Sequence, residues 1–324
     1  MLGLRRIDCW AAALGLAVFL EGCGGTSLQG VPPSTLLQPP AWQHNRFAEA
    51  PIGGVPSRET PDSVKSENLL YVLYGTYADQ WVAFYSWPAG KPAGGLHGNV
   101  WPAFGMCGGQ AGDVWVMREP GSYEYSHDGR KIGFAAYQSL TSCAVDRASG
   151  DIAFPAGLEG IAIFSHGRGR PKHFYAANMD VYSYCGYDNK GNLFVMGFKY
   201  GSPGGVAFAL LHSGHHAFTA LTLNHRFRTY GGEREVQWDG RYWAVLEYGT
   251  SSIYRFAISG SRGIAKGRVK LVEHATASDY WIQGSIISVL SGDWIKLFKY
   301  PAGGRPVRSI GGGADDLVVS LAPN

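Results

Sequence analysis

From Asn68 onward the chain is built of short apolar runs rich in Val, Ile, Phe, Tyr and Trp, separated by Gly, Pro, Ser and Asp turns, a texture that predicts an all-β domain. One pattern recurs. Cys107 leads to Gly112 and then Asp-Val-Trp-Val; Cys143 leads to Gly150 and then Asp-Ile-Ala-Phe; Cys185 leads to Gly191 and then Asn-Leu-Phe-Val. Two further copies keep the frame without the cysteine, Val236-Gln-Trp-Asp before Gly240 and Trp281-Ile-Gln before Gly284. The glycines step by 38, 41, 49 and 44 residues, the period of a four-stranded unit repeated around a ring. A second strand signal follows within each period, beginning at Val82, Tyr123, Ile161, Val206, Ile253 and Ile295. The clearest internal match sets Tyr85-Ser-Trp-Pro-Ala-Gly90 against Phe298-Lys-Tyr-Pro-Ala-Gly303, one turn used twice.

Five Gly-centred strands against six second-strand signals leave one innermost strand missing at the front, and Ala314-Asp-Asp-Leu-Val-Val-Ser-Leu321 supplies it from the tail. Such a strand closes the ring and removes the free edge an open array exposes. Residues 66–324 divide into six units of roughly 43 residues, which predicts a six-bladed β-propeller closed by a C-terminal strand. Ser142-Cys-Ala-Val-Asp-Arg-Ala-Ser-Gly-Asp-Ile-Ala-Phe154 and Cys185-Gly-Tyr-Asp-Asn-Lys-Gly-Asn-Leu-Phe-Val195 resemble the NHL and YVTN propeller repeats. The chain also resembles a group of uncharacterised bacterial lipoproteins with the same blades. A repeat of this kind specifies a fold and leaves the function open.

The segment before the repeats carries an address. Arg5 and Arg6 precede an apolar stretch of 11 residues, Trp10 to Leu20, too short to span a bilayer, so residues 1–22 read as an export signal. Leu20-Glu21-Gly22-Cys23 resembles the bacterial lipobox, which implies lipid on Cys23, although Glu21 departs from the usual small or apolar residue. Residues 23–65 read as an extended tether, with seven prolines from Pro32 to Pro61 and no sustained pattern. The expected location is therefore the bacterial cell envelope, with the propeller outside the cytoplasm and held to a membrane by lipid. A net charge of +3 without a basic run argues against a nucleic-acid partner.

Candidate chemistry is sparse. Of the 5 cysteines, Cys107, Cys143 and Cys185 remain after the signal and Cys23 are set aside, and they are either three buried thiols or a Cys107–Cys143 disulfide with Cys185 left over. A three-thiolate metal site lacks the usual CxxC or His spacing. His127, His166 and His212 recur after the second strand signal and read as turn residues, as do Asp146, Asp188 and Asp239 before the repeat glycines. The loops between units hold Tyr182, Tyr184, Arg234, Glu235, Asp279 and Trp281, aromatic and charged residues suited to a binding surface around the channel mouth. The favoured function is a non-catalytic binding or scaffold module engaging a protein, glycan or small ligand, with no cofactor. The alternative is a hydrolase of the propeller lactonase or gluconolactonase kind, for which Asp180, Glu235 and Asp279 are the candidate ligands of a channel Ca²⁺.

Overall fold

The computed structural model describes residues 66–323, except 77–78, 97–99, 101, 110, 140, 202–204, 228–234, 248, 273–275 and 293. The chain divides into units 1–53 and 54–324, of which only the second carries described residues. The export signal, Cys23 and the tether thus lie outside the described residues.

All named elements are strands. In chain order they are β1 (Leu69–Thr76), β2 (Asp79–Ser86), β3 (Pro92–Gly95), β4 (Ala103–Gly108), β5 (Val114–Arg118), β6 (Gly121–Tyr125), β7 (Lys131–Ala135), β8 (Ala144–Val145), β9 (Ile152–Pro155), β10 (Ile161–Ser165), β11 (Arg168–Phe174) and β12 (Val181–Tyr187). They continue with β13 (Leu193–Phe198), β14 (Val206–Leu211), β15 (Phe218–Leu223), β16 (Val236–Trp238), β17 (Trp243–Glu247), β18 (Ser252–Ser259), β19 (Arg262–Lys270), β20 (Ala277–Gln283), β21 (Ile286–Ser291), β22 (Trp294–Lys299), β23 (Gly303–Ile310) and β24 (Ala314–Ser320). Three antiparallel sheets follow chain order, β4–β7, β8–β11 and β20–β23, and a fourth has the order β24-β1-β2-β3. The fifth, of eight strands, joins the meanders β12–β15 and β16–β19 through a short parallel pairing of Thr222 and Leu223 with Arg262 and Gly263.

Burial peaks at the second strand of each sheet and falls outward from there. The strand after each repeat glycine is buried on both faces: Val114 to Met117, Ile152 to Pro155, Leu193 to Gly197 and Trp243 to Glu247 lie fully within the packing. Strands sandwiched this way read as continuous apolar runs, which is why they dominate the sequence signal. The outermost strands β7, β11, β19 and β23 are largely exposed. The frame expected from sequence shifts by one as a result. Gly112, Gly150, Gly191, Gly240 and Gly284 all have positive φ and occupy the turns between first and second strands, so each Gly-centred signal is a hairpin. The signals at Val82, Tyr123, Ile161, Val206, Ile253 and Ile295 are third strands. Asp146, Asp188 and Asp239 cap these turns through backbone amides, as from Ala148 at 3.0 Å, Lys190 at 2.8 Å and Tyr242 at 2.7 Å.

The tail strand does what an unpaired edge requires. β24 pairs antiparallel with β1, from Leu69 opposite Ser320 to Leu73 opposite Asp316. Leu317, Val318 and Val319 are buried, and Ser320 hydrogen-bonds His127 at 2.6 Å, whose other ring nitrogen donates to the Glu67 carbonyl at 2.8 Å. Each buried aliphatic side chain contributes about 1.5–3 kcal/mol, so this strand alone rivals the total stability of a typical domain. Deletion of residues 315–324 is expected to give aggregated protein without a cooperative melt, measured by size exclusion and thermal denaturation. A monomer with an unchanged melting temperature would refute the closure argument.

Candidate ligand-binding channel

The first strands of the sheets stand side by side. β24 contacts both β4 and β20, β8 contacts β4 and β12, and β12 contacts β16. Side-chain amides stitch neighbours together: Gln237 of β16 accepts from Ile282 N of β20 at 2.7 Å and donates to its carbonyl at 2.9 Å. Gly186 permits the close approach of β12 to β16, since a Cβ there would lie 2.7 Å from the Val236 carbonyl oxygen.

Between these strands lies a cavity of about 530 Å³, bounded by Cys107, Arg147, Cys185, Glu235, Trp238 and Trp281 among others. Cys107 and Cys143 form a disulfide across it, Cα atoms 5.6 Å apart, while Cys185 is a free buried thiol whose pKa burial pushes well up. Three of the first strands carry a β-bulge at one level: the register slips at Phe104 in β4, Ser183 in β12 and Ser278 in β20, and β24 slips likewise at Asp315. Bulges re-aim side chains. The residues that follow are Gly105, Tyr184, Asp279 and Asp316.

Three carboxyls meet at this level. Glu235 lines the cavity and holds a left-handed backbone conformation, φ 69°, that costs a non-glycine residue on the order of 1–3 kcal/mol. Burial, then the charge of Asp279, pushes its pKa well above the ordinary carboxylate range. Asp316 is raised in the same way by burial, then by Asp279 and Glu235, although it also accepts hydrogen bonds from Leu317 N at 2.7 Å and from Met106 N. Gly105 makes room for it, because a Cβ there would lie 2.9 Å from its Oδ2. Like charges gathered in one site oppose one another's ionisation, so the cluster favours its protonated forms.

The residues expected at the mouth fall out differently. Glu235, Asp279 and Trp281 do meet here, the last two inside β20 rather than in a loop. Tyr182 belongs to β12 and is core: it is 2% exposed, and its hydroxyl accepts from Ala176 N at 2.5 Å. Tyr184 is half-buried against Phe194 and Trp243. Arg234 lies outside the described residues. Asp180 does not join Glu235 and Asp279, since it pairs with Lys199 Nζ at 2.8 Å and Tyr200 N at 2.8 Å. Among the described residues, no group of three or more His, Cys, Asp or Glu is arranged to hold a metal ion. Sequence reasoning missed Asp316, although Ala277-Ser-Asp279, Ala314-Asp-Asp316 and Ala103-Phe-Gly105 share a frame that exposes it.

No protein-family model matches the sequence, and no curated protein matches it. Solved structures do. A chain of the nidogen–laminin complex aligns with TM-score 0.59 and 10% identity over 80% of this chain and 100% of that one. A protein of unknown function from Bacteroides caccae aligns with TM-score 0.55 and 11% identity over 79% and 99%. At such identities the likeness shows the fold alone, a β-propeller.

Raised carboxyl pKa values have a sign. The folded chain binds more protons than the unfolded one, so stability is lost as pH rises from the unfolded carboxyl value of about 4 toward the higher folded one. Asp316→Asn removes part of that loss. Its melting temperature is expected to gain on wild type as pH rises above the unfolded carboxyl value; parallel profiles would refute the coupled carboxyl cluster.

Proposed function

We propose that this chain is a six-bladed propeller lipoprotein of the bacterial envelope, a non-catalytic module that takes a small ligand into the channel between its first strands. The blade count rests on four meandering sheets plus an eight-stranded sheet that divides into two meanders at a two-residue seam. What supports binding is the proton-holding cluster of Glu235, Asp279 and Asp316 beside a cavity walled by Trp238 and Trp281. Gathering three half-buried carboxyls costs stability unless something compensates. An ammonium group in the cavity would displace the cluster's protons and be met by carboxylate in surroundings of low dielectric, with an indole at its side. The favoured ligand is therefore a small organic amine. The hydrolase alternative draws no support from Asp180, which Lys199 engages.

Titration with putrescine, ethanolamine and choline, read by tryptophan fluorescence, tests the channel. Saturable binding by at least one is expected, weakened about tenfold or more in Glu235→Gln. Absence of binding, or equal binding by the variant, would sink the reading.

The lipid anchor is tested separately. Cys23→Ser is expected to move the protein from the detergent phase to the aqueous phase, since stable attachment takes more than one acyl chain and this signal is the source proposed for them. Unchanged partition would place the anchor elsewhere.

A further inference from the structure

A second cavity lies apart from the channel. It has a volume of about 1190 Å³ and sits between the sheets β4–β7 and β8–β11, at the end where their hairpin turns gather. The apolar packing of this junction runs through Cys107, Met117, Phe154 and Phe164 and reaches Trp115, over which Gly167 closes so tightly that a Cβ would sit 2.5 Å from the indole. Beyond Trp115 the junction turns polar.

Register explains the first wall. Trp115 of β5 stands opposite Glu124 of β6, and Val114 opposite Tyr125, so Asp113, Trp115 and Glu124 share one face. Gly133 on β7 leaves that face open, since a Cβ there would lie 2.2 Å from Glu124 Oε2. Asp113 is buried and accepts from Ala111 N at 2.7 Å. Glu124 is hydrogen-bonded to it, and burial followed by that hydrogen bond pushes the Glu124 pKa up to about 7. The second wall is the tight β10–β11 hairpin, where Ser165 pairs with Arg168 and the two turn residues, His166 and Gly167, both have positive φ, as a type I′ turn requires. This turn presents the exposed Arg168 guanidinium toward the acidic wall. Arg168 lowers the Glu124 pKa, yet its guanidinium forms no ion pair or hydrogen bond of its own among the described residues.

The neighbouring charges are already committed. Arg130 pairs with Asp128 at 3.1 Å, His166 lies 4.0 Å from Asp151, and His127 is held by Ser320 and Glu67. What remains is Glu124, hydrogen-bonded to Asp113, on one wall and a guanidinium on the other, attracting across a gap they do not close, while Arg147 acts on Asp113 from the channel side. A bipolar cleft is complementary to a bipolar ligand. We propose that this cleft is a second binding site, distinct from the channel, for a small zwitterion such as an amino acid or dipeptide, whose carboxylate sits on Arg168 and whose ammonium sits on the Asp113–Glu124 pair. Arg suits the first role because its planar fork grips a carboxylate through two parallel hydrogen bonds.

Calorimetric titration of the full protein with glycylglycine, and with the free amino acids as a panel, tests this. Binding by at least one zwitterion is expected. Blocking its amine by acetylation or its carboxylate by amidation should each weaken binding about tenfold or more. Arg168→Gln and Glu124→Gln should do the same, while Arg168→Lys retains part of the affinity and Glu235→Gln in the channel leaves it unchanged. Arg168 is exposed, so its variants should fold with melting temperatures within a few degrees of wild type. Absence of binding across the panel, or binding that survives both Arg168→Gln and Glu124→Gln, would overturn the proposal. Loss of binding in Glu235→Gln instead would move the site to the channel and overturn it equally.

Discussion

A sheet edge left unpaired is what this repeat cannot tolerate, and the pairing of β24 with β1 is the contact on which the remainder depends. Each meander buries its second strand on both faces, which requires a neighbour on either side. A linear array would leave one first strand missing and one row of backbone donors and acceptors bare. The tail corrects both at once. It also brings Asp316 beside Asp279 and Glu235 near its start and, at its other end, places Ser320 against His127 and lets Ala322 N reach the Asn68 side chain at 2.9 Å, so the ends of the domain are locked together.

Closure and channel chemistry are thus one construction. A carboxyl in the interior is costly unless it keeps a proton or meets a cation. Here the first strands bend at matching bulges, the strand that would crowd Asp316 has Gly105, and Glu235 accepts a left-handed backbone to reach the cavity. Those three accommodations concern one small volume. A fold that needed only packing would have placed apolar residues there.

Much of the fold was legible because sandwiched strands have no polar face to blur their signal. The glycine period, the tail strand and the shared Tyr85/Phe298 turn all follow from that, and the two turns match in detail, with Gly90 at φ 65° and Gly303 at φ 68°. Strand position was less legible. The glycine sits in a hairpin, so a signal centred on it belongs to two strands, and residues assigned to loops from that frame, Tyr182 and Trp281 among them, fall inside β12 and β20. A Tyr in a loop and a Tyr opposite a bulge look alike in sequence; only the register separates the buried Tyr182 from the channel-facing positions. The bipolar cleft was invisible for a different reason. Asp113 and Glu124 meet through the β5–β6 register, while Arg168 lies more than 40 residues further along the chain and reaches them only because its sheet stands next to theirs.

The same adjacency bears on why the cysteine pair lies where it does. Neighbouring sheets meet closely at their first strands and separate toward their outer ones, so apolar contact must hold each junction near the axis. At the junction of β4–β7 with β8–β11 the apolar packing runs outward through Phe154 and Phe164 to Ala135, with Trp115 as its border on the side of the polar cleft. Cys107 and Cys143, 36 residues apart, join the first strands of just this pair of sheets. A loop of that length closed by a disulfide stabilises the native state by about 3–4 kcal/mol through the unfolded chain, comparable to one or two buried aliphatic side chains. The covalent link therefore adds to the apolar packing at the axis of the junction whose hairpin end carries the polar cleft.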